Sequence, residues 1–434
     1  ESFATQHEDL MKFETPSEFI GYDMLTCPAE VVGLFKDGKL VDSLDDEGQA
    51  VLDKCCFYAT SGGQVADTGR LFNDEMQATV TDVTKIRNGQ HVLTVKIQDG
   101  ILETGDALMQ QVDKVRRQKT TANHSATHLM QSALKQVLGD HIHQAGSFVG
   151  PDYLRFDFSH FEKPTPEQLA QVERLVNEYI DGRYPVTKEI MDIETARASG
   201  ATSLFNEKYG DKVRVVTMGD VSREFCAGCH VNNTGEIGVL KIVGEESIGS
   251  DARRITARTG LAAYEDFAAE DRMLNNIAAS ARQKSLKGID DKVAAAYGQI
   301  HDLNNEVNDL KNQIFQLKSA QWLMQAETIA GRPVLIREVE DMDGREMKNL
   351  AAMLKKKDPD MVIFLAARAG GKLVFAAGAG EAAVKAGNNA GQLVKKAAEV
   401  TGGKGGGKPD LAQAGGRDAE KLQEAFDAIR QMVR

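Results

Sequence analysis

Two histidines four residues apart, His124 and His128, stand in the stretch NHSATHLM. In a helix, positions i and i+4 lie on one face a turn apart. Two imidazoles so placed can share one metal ion. Far downstream, REFCAGCHVNNTGEIG adds Cys226, Cys229 and His230, with Cys226 and His230 in Cys-x3-His spacing. Thiolate and imidazole together suit zinc, which takes nitrogen and sulfur donors in tetrahedral geometry. Either pair alone is a weak signal. An isolated HxxxH is more often a pair of surface or core histidines, and the cysteines of CAGCH can be packing residues in a turn. Together the two pairs compose a His2CysHis site, which is the stronger reading. His124 and His128 enclose SAT and lack the glutamate of HExxH, so a metalloprotease of that type is excluded.

The elements that must position these donors follow from periodicity. The first stretch, residues 1–110, alternates apolar and polar residues between turn signals. KDGK in AEVVGLFKDGKLVDSL marks a hairpin, and NG and DG break DEMQATVTDVTKIRNGQHVLTVKIQDG, which reads as a small β-barrel. From Val112 to about Leu138 the pattern is helical, so both histidines fall on one helix. LRFDFSHF, residues 154–161, reads as a strand. The helix of TPEQLAQVERLVNEYIDG has Thr165 as its cap and Pro166 just inside. Mixed α and β elements complete residues 111–260.

Residues 261–330 form a third region. Up to position 329 it has no proline and only two glycines, Gly288 and Gly298. Ile300, Leu303, Val307, Leu310, Ile314 and Leu317 follow 3-4 spacing, predicting a helical hairpin or arm with an apolar seam that can self-associate or pack on its own domain. Residues 331–434 alternate strands and helices, an α/β domain. The fold class is therefore α+β and multidomain: a barrel, an α/β core bearing the metal site, a helical arm and a C-terminal α/β domain.

Composition narrows the function classes. The net charge of −12 disfavours general nucleic-acid binding, but residues 331–434 carry 18 lysines and arginines against 14 acids. A basic end on an acidic body can mark a local polyanion site. Five cysteines, an odd number in a chain of 434 residues, fit a reducing compartment better than a disulfide framework. No apolar run approaches a membrane span, and the polar opening ESFATQHEDLMKFETPSEF is unlike a signal peptide. The expected location is cytoplasmic.

The motifs taken in order resemble alanyl-tRNA synthetase. HSATHLM followed by HIHQAGS, then LRFDFSHF, CAGCH, TGEIG and ARRITARTG is similar to that family's editing domain. FYATSGGQVADTG, residues 57–69, resembles the GGQ segment of the barrel before it. TGGKGGGKPDLAQAGG, residues 401–416, resembles the glycine-rich signature of the C-terminal domain. The resemblance covers nearly the whole chain, and it implies a zinc-dependent deacylase that hydrolyses Ser-tRNA(Ala) and Gly-tRNA(Ala). By position it implies His124, His128, Cys226 and His230 as Zn2+ ligands, Gln144 in the editing pocket and Thr68 as reader of the serine hydroxyl. Lys404 and Lys408 would contact tRNA, with Lys355, Lys356 and Lys357 extending the patch. The partner implied is mischarged tRNA(Ala), with no membrane, and a second copy can join through the helical arm or the C-terminal domain. The aminoacylation region with its ATP site lies outside the resemblance, so no ligase activity is expected of this stretch.

Two departures stand out. The family's CGGTH reads CAGCH here, with Ala227 and Cys229, and TPFYAESGGQ reads CCFYATSGGQ. Cys229 is a rival to Cys226 as ligand or a pocket residue that alters selectivity; position favours Cys226. The other readings are a free-standing AlaX-type deacylase and a zinc-stabilised tRNA-binding or dimerisation module without catalysis.

Overall fold

The computed structural model describes residues 8–203, 209–340 and 342–434; the first seven residues of the polar opening lie outside these. The chain forms two compact units, residues 1–280 and 281–434.

Unit one opens with a barrel of β1 (Thr26–Lys36), β2 (Glu47–Leu52), β3 (Gly69–Phe72), β4 (Gln77–Lys85), β5 (His91–Asp99) and β6 (Ala107–Val112). Neighbours pair in the order β6-β3-β4-β5-β2-β1, and β6 returns to β1 to close the ring. Alternation along β1 buries Cys27, Ala29 and Val31. Ala29 and Val31 with Leu52, Leu71, Val80 and Leu93 fill the interior. The KDGK hairpin turns at Asp37 and Gly38, both at positive φ (51° and 75°), as a two-residue turn of the primed type requires. Closure removes the free edges that an open sheet would present.

His91 is buried in this barrel. Its Nδ1 lies 2.9 Å from the carbonyl oxygen of Phe57, and its ring stacks on Phe19. Burial lowers its pKa, against the pull of that hydrogen bond. The folded imidazole stays neutral where the unfolded chain takes up a proton, below about pH 6.5. Its contribution to stability is therefore complete above that pH and is lost as pH falls toward the depressed folded value. Thermal melts between about pH 7 and about pH 5.5 should show a steeper loss of stability for this chain than for His91→Gln. Equal slopes would refute it.

The core beyond the barrel is built on α1 (Lys114–Leu138) and α2 (Pro166–Asp181). Thr165 and Gln168 form the expected capping box at the start of α2, satisfying two of the amide donors a helix start leaves open. The helices pack on the antiparallel sheet β7 (Gln144–Val149), β8 (Leu154–Ser159), β13 (Ala252–Thr259) and β12 (Leu240–Ser247), in that order. Phe156 and Phe158 of β8 are fully buried with Leu129, Met130, Val172 and Val176. A second antiparallel sheet joins β9 (Val186–Asp192), β10 (Lys212–Met218) and β11 (Ser222–Phe225). Helix α3 (Gly260–Ser280) ends the unit.

Unit two begins within the expected arm. Helix α4 (Ile289–Leu323) carries the apolar seam, and all six seam residues are exposed, from Val307 at 48% to Leu317 at 75%. The helical expectation fails at the end of the arm. Glu327–Ile329 is a strand, β14, paired with β15 (Arg332–Glu338). The sheet runs β14-β15-β16-β17-β19-β18, with β16 (Val362–Ala369), β17 (Lys372–Ala379), β18 (Lys404–Gly407) and β19 (Leu411–Gly416). Strand β16 is covered on both faces. Phe364 and Ala366 pack toward α6 (Ala390–Val400) and α7 (Leu422–Met432), while Ile363 and Leu365 pack toward α5 (Gly344–Lys357) and Trp322. That is why its sequence is a continuous apolar run.

The glycine run around Lys404 is an edge strand. A Cβ at Gly403 would lie 1.8 Å from the carbonyl oxygen of Gly415, and one at Gly405 would lie 2.1 Å from the Cβ of Ala414. The glycines allow β18 to press onto β19. Lys404 and Lys408 are exposed there. Lys355 is ion-paired with Asp410 and so is not a free extension of that basic patch.

Candidate metal centre

Helix α1 starts firmly. The side chain of its cap, Asp113, accepts the Arg116 N–H at 3.0 Å. In its first turn Arg117 is buried against Asp67, with Nε 3.0 Å from Oδ1, and Arg117 also donates to the carbonyl of Cys56 at 3.1 Å. The barrel and helix are thereby joined, and His124 and His128 follow on the buried side of α1. Cys226 and His230 come from the loop after β11. The donor atoms of all four residues lie within 4.8 Å of one another. Cys226 Sγ is 3.2 Å from His230 Nε2 and 3.5 Å from His124 Nε2. Ligands of a tetrahedral zinc ion sit about 3.5 Å apart, so the donor set and its spacing fit that metal.

Each histidine has its outer nitrogen engaged. His124 Nδ1 lies 2.8 Å from Gln64 Oε1, His128 Nδ1 lies 2.9 Å from Glu224 Oε2, and His230 Nδ1 lies 3.0 Å from Ser125 Oγ. Such partners fix the tautomer and leave Nε2 as the donor toward a metal. His128 Nε2 is buried with no hydrogen-bond partner, a costly state that a metal would relieve. The charges agree. Burial pushes the Cys226 thiol up, but His124 and His230 outweigh it and hold it well below the usual range. Burial lowers His128, and the Glu224 carboxylate and Cys226 sulfur more than reverse this. His230 is lowered, chiefly by burial.

The ligand loop is clamped from outside. Arg214 Nη1 donates to the carbonyls of Cys226 and Gly228, at 2.9 and 2.8 Å, and its guanidinium stacks 4.1 Å from the Tyr22 ring. The Tyr22 hydroxyl donates to Ala227 O. Gly228 has no room for a side chain, since a Cβ would lie 2.0 Å from His124 Cε1. Cys229 stands apart from the four donors. It is buried, its N–H donates to Gln64 Oε1 at 2.9 Å, and burial raises its thiol pKa.

The centre opens on a cavity of about 520 Å³. His124, His128 and Cys226 line it, and so does Gln144, the first residue of β7. Tyr58, Ser61 and Gly62 line it from the GGQ turn. That turn needs its glycines: Gly62 and Gly63 have φ of 58° and 84°, and a Cβ at Gly63 would meet Ser147 O at 2.5 Å. Thr68 is not on this wall. It is half-buried, and its carbonyl accepts the Asp113 N–H where the barrel passes into α1. Lys404 and Lys408 belong to unit two.

Three residues of the centre were not anticipated: Gln64, Ser125 and Glu224. Gln64 belongs to the quoted GGQ and Ser125 stands between the two histidines, so a polar residue next to each ligand was visible. Its partner was not, because a side chain's hydrogen bond is set by spatial neighbours.

Known proteins bear on this arrangement. Residues 1–116 match the family described as tRNA synthetases class II (A). Residues 213–256 match the Threonyl and Alanyl tRNA synthetase second additional domain, and residues 331–434 match the DHHA1 domain. The matched parts are thus those of an aminoacyl-tRNA synthetase. The alanine–tRNA ligase of Geobacillus thermodenitrificans is 41% identical over 436 residues, covering 100% of this chain and 50% of its own length. That of Bacillus subtilis is 39% identical over 435 residues, covering 100% and 49%. The solved C-Ala domain of Aquifex aeolicus alanyl-tRNA synthetase is matched at 30% identity over 25% of this chain and 96% of that one, with a TM-score of 0.24. The chain belongs to the alanyl-tRNA synthetase family. It spans about half the length of the curated relatives it matches. No helix among the described residues is long and apolar enough to cross a membrane.

Proposed function

We propose that this chain is an editing deacylase that cleaves serine and glycine esters from mischarged tRNA(Ala), using zinc held by His124, His128, Cys226 and His230. The observation that carries this reading is the three-histidine, one-cysteine centre set in the wall of a cavity beside Gln144. When bound, zinc supplies Lewis acidity that favours attack on an ester carbonyl. Four protein donors fill a tetrahedral shell, which is commoner in structural sites, so the residues around the centre carry much of the work. Gln64, Glu224 and Ser125 orient the imidazoles. Gln144 offers both a donor and an acceptor to the ester or to water, and a donor aimed at the developing oxyanion stabilises the transition state.

Alanine lacks the hydroxyl of serine, and a site that hydrogen-bonds a hydroxyl rejects its absence strongly. Thr68 lies off the cavity wall, so that recognition passes to hydroxyls on it, Thr127 and Ser147 among them. Glycine, which also lacks the hydroxyl, is accepted by another route. The rest of the reading places tRNA(Ala) on Lys404 and Lys408 of unit two and a homodimer on the exposed seam of α4, with the protein in the cytoplasm.

The test is direct. Zinc-loaded chain incubated separately with Ser-tRNA(Ala) and Ala-tRNA(Ala) should hydrolyse the seryl ester and spare the alanyl ester, and removal of zinc by a chelator should stop it. Folded, zinc-containing, tRNA-binding protein that cleaves neither ester would overturn the proposal in favour of a non-catalytic module, with Cys229→Thr the next variant to examine.

A further inference from the structure

Helix α1 carries a second polar ladder beyond the ligands. His124, His128, Gln131 and Lys135 are spaced at 4, 3 and 4 residues and all line the cavity. Lys135 stands two turns past His128, about 10 Å along the axis. It is half-buried, and among the described residues no carboxylate or carbonyl engages its ammonium. A lysine on a cavity wall whose ammonium no described residue engages leaves that charge available to an anionic ligand.

The charge of the cavity points to the sign of that ligand. Among the described residues its wall holds Lys135, Lys212 and Arg214, whose guanidinium also holds the carbonyls of Cys226 and Gly228, and the carboxylate of Glu224, which is paired with His128. This is a positive mouth on a chain of net −12. Beyond Lys135 lies a second, mainly polar cavity, whose described lining combines Lys135 and Arg223 with Asp140, Asp220 and Glu224. Gln131, Lys135, Thr202 and Glu224 border both spaces, so the two adjoin across α1, with Lys135 on the divide.

We propose that Lys135 is a positioning residue that binds the phosphodiester on the 5′ side of the terminal nucleotide, while the adjoining cavity receives the nucleotides before it. This rests on the deacylase reading above. An aminoacyl ester at the metal centre sits on the ribose of that last nucleotide, one sugar away from the phosphate, and the chain must continue somewhere. The polar cavity past Lys135 is the continuation in line with the ladder. Lysine serves as a point charge for phosphate, with no demand for a fixed hydrogen-bond fork.

Two substrates separate this contact from the chemistry: Ser-tRNA(Ala), and seryl-adenosine, the same ester on a nucleoside with no phosphate. In Lys135→Ala, KM for the tRNA ester should rise about tenfold, with kcat close to its original value. The slope of log KM against log salt should shrink by about 0.7 to 0.9, the loss of one phosphate contact. Lys135→Arg should restore most of both. The cost should fall on the tRNA ester and not on seryl-adenosine. An equal loss on both esters, or an unchanged salt slope, overturns the proposal. If the unaltered chain cleaves neither ester, the deacylase reading fails, and fluorescence anisotropy with a labelled RNA oligonucleotide ending in CCA still decides the contact. Lys135→Ala must then weaken binding and flatten its salt dependence, or the proposal fails too.

Discussion

The His124→Ala, His128→Ala double variant should bind no stoichiometric zinc and lose at least about a thousandfold in Ser-tRNA(Ala) hydrolysis, since loss of an orienting partner alone typically costs about 10–100-fold. The two imidazoles are half of the donor set, and what remains, Cys226 and His230, cannot enclose a metal. The substitution also releases Gln64 and Glu224 from the ring nitrogens they hold. Glu224 borders the cavity and can be rehydrated, so the damage should stay local. Metal analysis of purified protein gives the stoichiometry, and single-turnover deacylation gives the rate. Circular dichroism and a thermal melt show whether the fold survives. Full activity in a folded, zinc-free variant would sink the assignment of these ligands. A variant that melts far below the unaltered chain would show instead that metal binding is part of folding free energy; Glu224→Gln, which keeps all four donors, then separates the two effects through zinc affinity.

Asp67→Ala should be the most destabilising single change in unit one, at about 3–5 kcal/mol. Asp67 and Arg117 are almost wholly buried, with side chains 3% and 6% exposed. Both carboxylate oxygens accept from Arg117, and one also accepts the Tyr58 N–H at 2.7 Å. Removing Asp67 leaves a guanidinium that cannot deprotonate inside the protein, still tied to the carbonyls of Gly21 and Cys56. Asp67→Asn keeps an acceptor and should cost less. Asp67→Leu with Arg117→Met removes both charges and should recover much of the loss, because an apolar pair of similar volume often matches a buried ion pair. Unfolding in urea can be followed by hydrogen exchange in unit one. The chain's one tryptophan, Trp322, is buried in unit two, so its fluorescence transition serves as an internal reference. An Asp67→Ala protein with unchanged exchange protection around Tyr58 would show that the pair is not needed.

The two predictions are linked through the segment FYATSGGQVADTG. Its resemblance drew attention to Thr68 as a reader of substrate, yet the residues around it carry more of the structure. Asp67 anchors the start of α1, Gln64 holds His124 and the Cys229 amide, and Gly62 and Gly63 allow the turn to lie against β7.

By itself the sequence determined the features that depend on neighbours along the chain. The four donor types, the i, i+4 spacing on α1, the cap at Thr165, the hairpin at Asp37–Gly38 and the alternation of the barrel strands are local, because helix and strand periods and turn conformations repeat over a few residues. Tertiary structure decided what depends on approach from a distance. It brought Cys226 and His230 to His124 and His128, placed Cys226 rather than Cys229 among the donors, and supplied Gln64, Glu224 and Ser125 as their supports. It turned the glycine run at Lys404 into an edge strand by pairing it with β19, and it made Glu327–Ile329 a strand by giving it β15 as a partner. Hydrogen bonds, ion pairs and close backbone contacts depend on distances of a few ångströms between groups far apart in the chain, and only the assembled fold sets those distances.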